Sequence, residues 1–350
     1  VENRRNLLVT LADKNYIPQV KQLFSSVYWN AGWEGDYMLL SHEIPEEDLK
    51  WFRDKGILIR ECSPLHDGSV KYVFSPVVLD KFYLFTEEFK KWKNIVFLDS
   101  DIIVKASLER LTKIKYFGAV RDLYYNRLAT QFYNPQKNQF NNITYNFNVP
   151  AFNSGVFSFR TDLITPDTFS ELDILFKDHF SEFRFLDQAT LNLYFYKKWK
   201  KLPLIYNLFM IFLNYKIPYK LKYILIHFIT CPDLCPLWDP KNPFYQEWKT
   251  NLERAEFIDI NKIQKVKKWD ILKIEYYNSL LNIYFFKLFA PHKLRSFFVY
   301  KLRSFFVYRL KSFFLYLLNS PGRLIGKIGN FIKKINPGLY HKLRKMKGGK

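Results

Sequence analysis

The last 60 residues of the chain, Pro291 to Lys350, contain no aspartate and no glutamate. They hold 15 of its 54 basic residues, so the first 290, with 39 basic against 33 acidic, carry only +6 of the total net charge of +21. The basicity therefore belongs to the tail and not to the body. Cysteine is scarce as well: Cys62, Cys231 and Cys235 form an odd set without framework spacing, which argues against a disulfide-stapled secreted domain and for a reducing compartment. No signal peptide is expected from the start, where "VENRRNLLVTL" passes straight into strand-like residues. Long apolar runs are missing too. The longest uncharged stretch in the middle, Leu202 to Tyr215, has 14 residues, short of the roughly 18 that suggest a membrane-crossing helix, and reads as buried core.

What is present is enough for a substantial core: 350 residues at 48% apolar content support one large domain with an appendage, or two modest domains. Up to about residue 230, short β-rich runs alternate with helical ones. "NLLVTL" (6–11) reads as a strand, and Ile17, Val20, Phe24 and Val27 fall at helical spacing. "DYMLLS" (36–41), a Pro-led helix from Pro45 and "GILIREC" (56–62) continue the series, and "SPVVLDKFYLFTEEF" reads as helix. This order predicts an α/β sandwich around a mostly parallel sheet.

"NIVFL" (94–98) has no polar alternation, as expected of a central strand covered on both faces. Asp99 and Asp101 follow it, at the carboxyl end of a strand, where ligands of open α/β sheets gather. Turn chemistry explains one carboxylate there. A second, a few ångströms away, calls for a compensating cation, and carboxylate oxygens suit Mg²⁺ or Mn²⁺. Further on come "AVRD" (119–122), an Asn-rich polar loop, "FNSGVFSFR" (152–160), "FLDQATLN" (185–192) and "YILIHFITC" (223–231).

The order and spacing of these segments, over roughly residues 5 to 240, resemble the retaining glycosyltransferases of family 8, the group containing glycogenin, galactinol synthase and bacterial lipopolysaccharide galactosyl- and glucosyltransferases. The resemblance implies a GT-A fold, an α/β nucleotide-diphospho-sugar sandwich over 1–260, with a linking helical segment over 261–290 and the tail over 291–350. It implies a UDP-hexose donor and a glycan acceptor, with Asp99, Asp101 and His227 holding Mn²⁺ or Mg²⁺. On spacing alone His227 reads as a core histidine at a strand end, and only its place in the order of motifs makes it a ligand.

The same likeness assigns Thr10, Ala12, Asp13, Asn15, Tyr16, Lys81 and Ser100 to the nucleotide, Lys81 standing where the family usually has arginine and so losing the bidentate fork. Asn153, Ser154, Gly155, Asp187 and Gln188 fall on the sugar side. Gln188 is expected on the reactive face and Asp187 on sugar hydroxyls, though Asp187 also reads as a helix N-cap. Gly155 is expected to let backbone approach the ligand closely. "HFITCPDLCPLW" departs from the family pattern: Thr230 replaces a glycine, no lysine precedes Pro236, and Trp238 is kept. Lys241 or Lys222 would have to replace the missing lysine, or the protein is a degenerate sugar-nucleotide fold serving as a scaffold. His227, Cys231 and Cys235 also stand four residues apart, but two prolines and the want of a fourth ligand count against structural zinc.

From Lys293 the tail repeats "KLRSFFVY", "KLRSFFVY", "RLKSFFLY". Eight residues overshoot two helical turns by about 80°, so the cations spiral and form no single stripe. Lys293, Arg295, Lys301 and Arg303 can still snorkel while Phe297, Phe298, Phe305 and Phe306 settle at headgroup depth, which favours an anionic membrane surface. Single-stranded nucleic acid would suit the same composition, but no recognisable module accompanies it. A solvated tail is the third reading. Together these features lead to the expectation of a protein held at the cytoplasmic face of a membrane, acting on lipopolysaccharide or another lipid-linked glycan.

Overall fold

The buried run Asn6–Ala12 forms β1, the strand around which the main sheet is laid. The structure, a computed structural model, describes residues 6–66, 75–134, 136, 139–140, 143–210, 221–229 and 235–289. Helix α1 (Ile17–Ala31) starts with Pro18 in its first turn and stops at Gly32, whose φ of +56° is a left-handed cap that costs glycine little. There follow β2 (Gly35–His42), α2 (Glu46–Asp54) behind Pro45, and β3 (Leu58–Cys62). β1 pairs in parallel with β2, and β2 with β3.

The segment expected to be helical after residue 75 winds more tightly. It forms two stretches of 3₁₀ helix, Pro76–Phe85 and Glu87–Lys91, the first capped by Ser75 Oγ accepting from Val77 N. Three residues per turn align Leu79, Phe82 and Phe85 along one line, and all three are buried. This winding also turns Lys81 inward, where it matters below.

β4 (Asn94–Leu98) is buried at every position and pairs in parallel with β1. The chain then turns through Asp99–Asp101 into β5 (Ile102–Val104). β6 (Gly118–Arg121) leads into the polar loop, which carries the short hairpin β7 (Gln139–Phe140) and β8 (Ile143–Thr144). β9 (Phe152–Arg160) runs antiparallel to both β4 and β6 and is the one reversed strand of the main sheet. Helices α3 (Thr168–His179) and α4 (Leu186–Tyr194) precede β10 (Lys200–Leu202), β11 (Leu208–Phe209) and β12 (Leu225–His227). The seven-stranded order is β10-β6-β9-β4-β1-β2-β3, and β11-β12-β5 forms a small second sheet. Stacked phenylalanines, Phe97 on Phe157 and Phe117 on Phe195, fill the space beneath the site.

Helix α5 (Tyr245–Arg254) and the first part of α6 (Ile271–Phe289) complete the first of two compact units, Val1–Asn282. Asn278 anchors α6 by accepting from Leu204 N at 2.7 Å. The second unit is Ile283–Lys350, whose described residues, 283–289, are helical. The tail residues Lys293, Arg295, Phe297, Phe298, Lys301, Arg303, Phe305 and Phe306 lie outside the described residues, as do Thr230 and Cys231. Among the described residues no helix is long and apolar enough to cross a membrane. Residues 202–210 of the uncharged stretch are described, and nearly all are buried.

Candidate active site

The register of the small sheet brings together three side chains that could hold a metal ion. β12 runs antiparallel to β5 with His227 opposite Ile102, and Phe228 N donates to Asp101 O at 3.1 Å, so the imidazole is delivered beside the Asp101 carboxylate. His227 Nε2 lies 3.0 Å from Asp101 Oδ1 and 3.8 Å from Asp99 Oδ2. Asp99 is fixed from the main sheet, its N donating to Gly155 O at 2.8 Å. One ligating atom from each residue lies within 4.8 Å of the others, the only such group found among the described residues.

Two oxygen donors and one imidazole nitrogen are a donor set that Mn²⁺ accepts, and the structure leaves room for it. A Cβ on Gly155 would stand 2.4 Å from His227 Cε1 and 2.5 Å from Asp99 Oδ2, so the cradle exists because residue 155 has no side chain. Glycine is thus needed here to seat the ligating side chains themselves, a different reason from the backbone approach expected from sequence. Cys235 is half-buried and hydrogen-bonded with Asp239, and Cys231 lies outside the described residues.

Charge in the site is balanced by Lys81. It is buried, and its Nζ reaches Asp99 Oδ1 at 3.1 Å and Asp187 Oδ2 at 2.8 Å while lying over the Phe97 ring. Burial works against the ammonium, yet Asp187 and Asp99 outweigh it and hold Lys81 above its usual range. Burial lifts the Asp99 carboxyl above the ordinary carboxylate range, with Lys81 and His227 pulling the other way. Burial likewise opposes charge on His227, but Asp101 and then Asp99 hold the imidazole above its usual range.

Of the residues expected on the sugar side, Asn153, Ser154 and Gln188 are joined in one hydrogen-bonded chain. Gln188 Oε1 accepts from Asn153 Nδ2 at 2.9 Å and from Ser154 N at 3.0 Å; its Nε2 donates to Gln131 Oε1 at 2.9 Å and to Asp122 Oδ2 at 3.2 Å. All four hydrogen-bonding positions of Gln188, the residue expected on the reactive face, are taken by protein groups. Asp187 is the second residue of α4 and does not cap it; Phe185 occupies the cap position and lends no side-chain bond. The Asp187 carboxylate is instead turned to Lys81. Asn192 Oδ1 accepts from Phe152 N, and its Nδ2 donates to Phe152 O, which ties α4 to β9 and sets the height of Gln188 over Asn153.

On the opposite side, Asp13 caps a one-turn 3₁₀ helix, Lys14–Tyr16, by accepting from Asn15 N at 2.8 Å. The Tyr16 ring meets Trp238 edge-on at 5.7 Å. Its phenol is held above the usual range by burial and then by Asp101, Asp13 and Asp99. Thr10 is wholly enclosed and Ala12 nearly so, Asn15 is exposed, and Ser100 is buried with its carbonyl taking a bond from Gln22 Nε2 at 3.4 Å. Lys222 and Lys241 are both exposed.

Three residues of the site had no role assigned from sequence: Asp122, Gln131 and Asn207. Asp122 had a signal, since "AVRD" ends an apolar strand in aspartate just as "VFLD" does. Its Oδ1 accepts from Tyr124 N and Tyr125 N, which oppose the upward push of burial on its carboxyl. Gln131 ends a short 3₁₀ helix, Leu128–Gln131, and Asn207 follows another, Leu204–Tyr206, with no local pattern to mark either.

Against known proteins, the model of glycosyl transferase family 8 matches residues 7–232. Galactinol synthase 4 of Arabidopsis thaliana is 27% identical over 186 residues, 47% of this chain and 53% of the relative. The chain spans about half the length of the curated relatives it matches. Among solved structures, an active-site mutant of LgtC superposes with a TM-score of 0.58 at 16% identity over 71% of this chain and 95% of that one. The galactosyltransferase LgtC with donor and acceptor sugar analogues gives 0.56 at 16% over 72% and 96%. At such identities these structures speak to fold.

Proposed function

The chain belongs to glycosyl transferase family 8 and has a GT-A fold, and we propose that it is a retaining hexosyltransferase that moves galactose or glucose from a UDP-sugar to a glycan acceptor. The observation that carries this reading is the convergence of Asp99, Asp101 and His227 next to Asn153, Asp187 and Gln188, so that a metal-ligating cluster adjoins the sugar-side residues. Bound there, Mn²⁺ or Mg²⁺ would supply Lewis-acid neutralisation of charge on the departing diphosphate.

The chain's own residues do the positioning. Tyr16 and Trp238 offer an aromatic edge for the uracil, with Asp13 close to hand to accept from a ribose hydroxyl or the base N–H. Lys81 spans both halves of the site and adds a fixed positive charge where the diphosphate would meet the sugar. Gln188, immobilised by four bonds to protein groups, acts on the sugar through the fixed dipole of its amide and through Asn153, which it holds in place. Retaining transfer needs no strong base on the far face, since the leaving phosphate can take the acceptor proton. Among the described residues, the site's carboxylates are accordingly paired with cations or hydrogen-bond donors.

The test is calorimetric binding of a UDP-sugar panel with Mn²⁺ and with EDTA, followed by UDP release. One UDP-hexose is expected to bind only with metal and to hydrolyse slowly. Binding that is indifferent to EDTA, or none by any UDP-sugar, would defeat the proposal.

The acceptor we propose is lipopolysaccharide or another lipid-linked glycan, with the protein peripheral at the cytoplasmic face of the membrane. The support is the acid-free basic aromatic tail, each cation of which contributes about 1 kcal/mol near an anionic surface. Full-length protein is expected to sediment with anionic liposomes and a chain lacking 291–350 to stay in the supernatant. Equal sedimentation of the two would remove the tail from the account.

A further inference from the structure

Asn207 is fully buried, and both ends of its side-chain amide are committed. It lies between the one-turn helix Leu204–Tyr206 and β11, and β11 pairs in parallel with β12, Phe209 opposite His227. Its Oδ1 lies 2.9 Å from His227 Nδ1, and its Nδ2 donates to Asn153 Oδ1 at 2.9 Å.

The direction of each bond follows from groups that can act in only one way. Gly155 N–H can only donate, and it donates to Asn153 Oδ1 at 3.0 Å, which makes that atom the acceptor. Ser154 N–H in turn identifies the acceptor end of Gln188, to which Asn153 Nδ2 donates. Asn207 must therefore turn its Nδ2 to Asn153 and its Oδ1 to the imidazole. The proton of that contact then resides on His227 Nδ1, and Nε2 is the ring atom facing Asp99 and Asp101.

We propose that Asn207 is a positioning residue that fixes the tautomer and rotation of His227 for metal binding and couples the metal cluster to the sugar-side amides Asn153 and Gln188. This rests on the reading of Asp99, Asp101 and His227 as metal ligands. A histidine whose far nitrogen is held by an oxygen acceptor offers its near nitrogen without a reorientation cost, and loss of such partners typically weakens metal binding by about 10–100-fold. The path His227–Asn207–Asn153–Gln188 has no water gap: every link is a direct bond of 2.9 Å.

Mn²⁺ binding to the full chain, read by the electron paramagnetic resonance of free Mn²⁺, tests this with Asn207→Ala and Asn207→Asp. The alanine variant is expected to bind about 10–100-fold more weakly, while the aspartate variant, which still accepts from Nδ1–H but turns its second oxygen to Asn153 Oδ1, binds more tightly than the alanine variant and less tightly than wild type. If wild type itself fails to bind Mn²⁺, the metal reading falls and this inference with it. If wild type binds and the alanine variant binds equally well, the inference alone is overturned. Should circular dichroism show that the alanine variant does not fold, ¹⁵N histidine spectra of Mg²⁺-loaded wild type decide: protonation of His227 at Nδ1 supports the assignment, and protonation at Nε2 overturns it.

Discussion

Gly155→Ala is expected to fold and to bind Mn²⁺ about 100-fold more weakly than wild type. The added methyl would stand 2.4 Å from His227 Cε1, 2.5 Å from Asp99 Oδ2 and 3.0 Å from Asn153 Oδ1. None of these can yield cheaply. His227 is held by Asn207, Asp99 by Lys81 and its own backbone bond to Gly155, and Asn153 by Gln188. Relief therefore means pushing His227 and Asp99 out of the positions that converge on a metal. The fold should survive, because Gly155 lies within β9, which keeps its pairing with β4, and its φ lies outside the left-handed range. Overpacking at one such point costs about 1–3 kcal/mol. Calorimetric Mn²⁺ titration with a thermal melt of the same sample separates the two effects. Undiminished Mn²⁺ affinity in the alanine variant would mean that the cradle is no part of a metal site.

Lys81→Met should be the most destabilising substitution in the site, and the one most rescued by metal. Lys81 is 3% exposed and joins carboxylates that are otherwise too close to remain charged together. Removing one member of a buried ion pair costs about 3–5 kcal/mol, because the remaining charge is left uncompensated. For a domain of this size the melting midpoint falls by about 10 °C. Burial already lifts the Asp99 carboxyl and Lys81 is the first influence lowering it, so without Lys81 a proton or a cation must take its place. A divalent ion should therefore raise the midpoint of Lys81→Met by more than it raises wild type. Thermal melts of both proteins with Mn²⁺ and with EDTA measure this. A midpoint within 2–3 °C of wild type, against the drop of about 10 °C, would show that Lys81 does not balance the site's charge.

The replacement of the family's usual arginine by Lys81 acquires a structural meaning here. A guanidinium would offer a planar fork, whereas the ammonium directs separate bonds to Asp99 and Asp187 from a compact head lying over Phe97. It is seated by the tight winding of Pro76–Phe85, which the apolar pattern of that segment does not distinguish from an α-helix. With Leu79, Phe82 and Phe85 buried at every third residue, packing against the sheet decides between the two windings.

The amino-acid sequence by itself determined the strands β1, β2 and β4, because apolar runs bounded by turn residues fit one kind of element. It also determined that two carboxylates leave the sheet together after β4, since only Ser100 separates Asp99 from Asp101 in the chain. His227 could be placed only by likeness to a family, because its neighbours in sequence give a buried strand end and nothing more. Tertiary structure decided what those residues do. The antiparallel register of β5 and β12 sets the imidazole beside Asp101, and the crossing of β9 between β4 and β6 brings Gly155 up to Asp99. Gln131 and Asn207 meet their partners across 57 and 20 residues respectively. Such amides carry no periodicity and no charge; a buried polar side chain declares its role only through the partner it must find, and the partner is supplied by the fold.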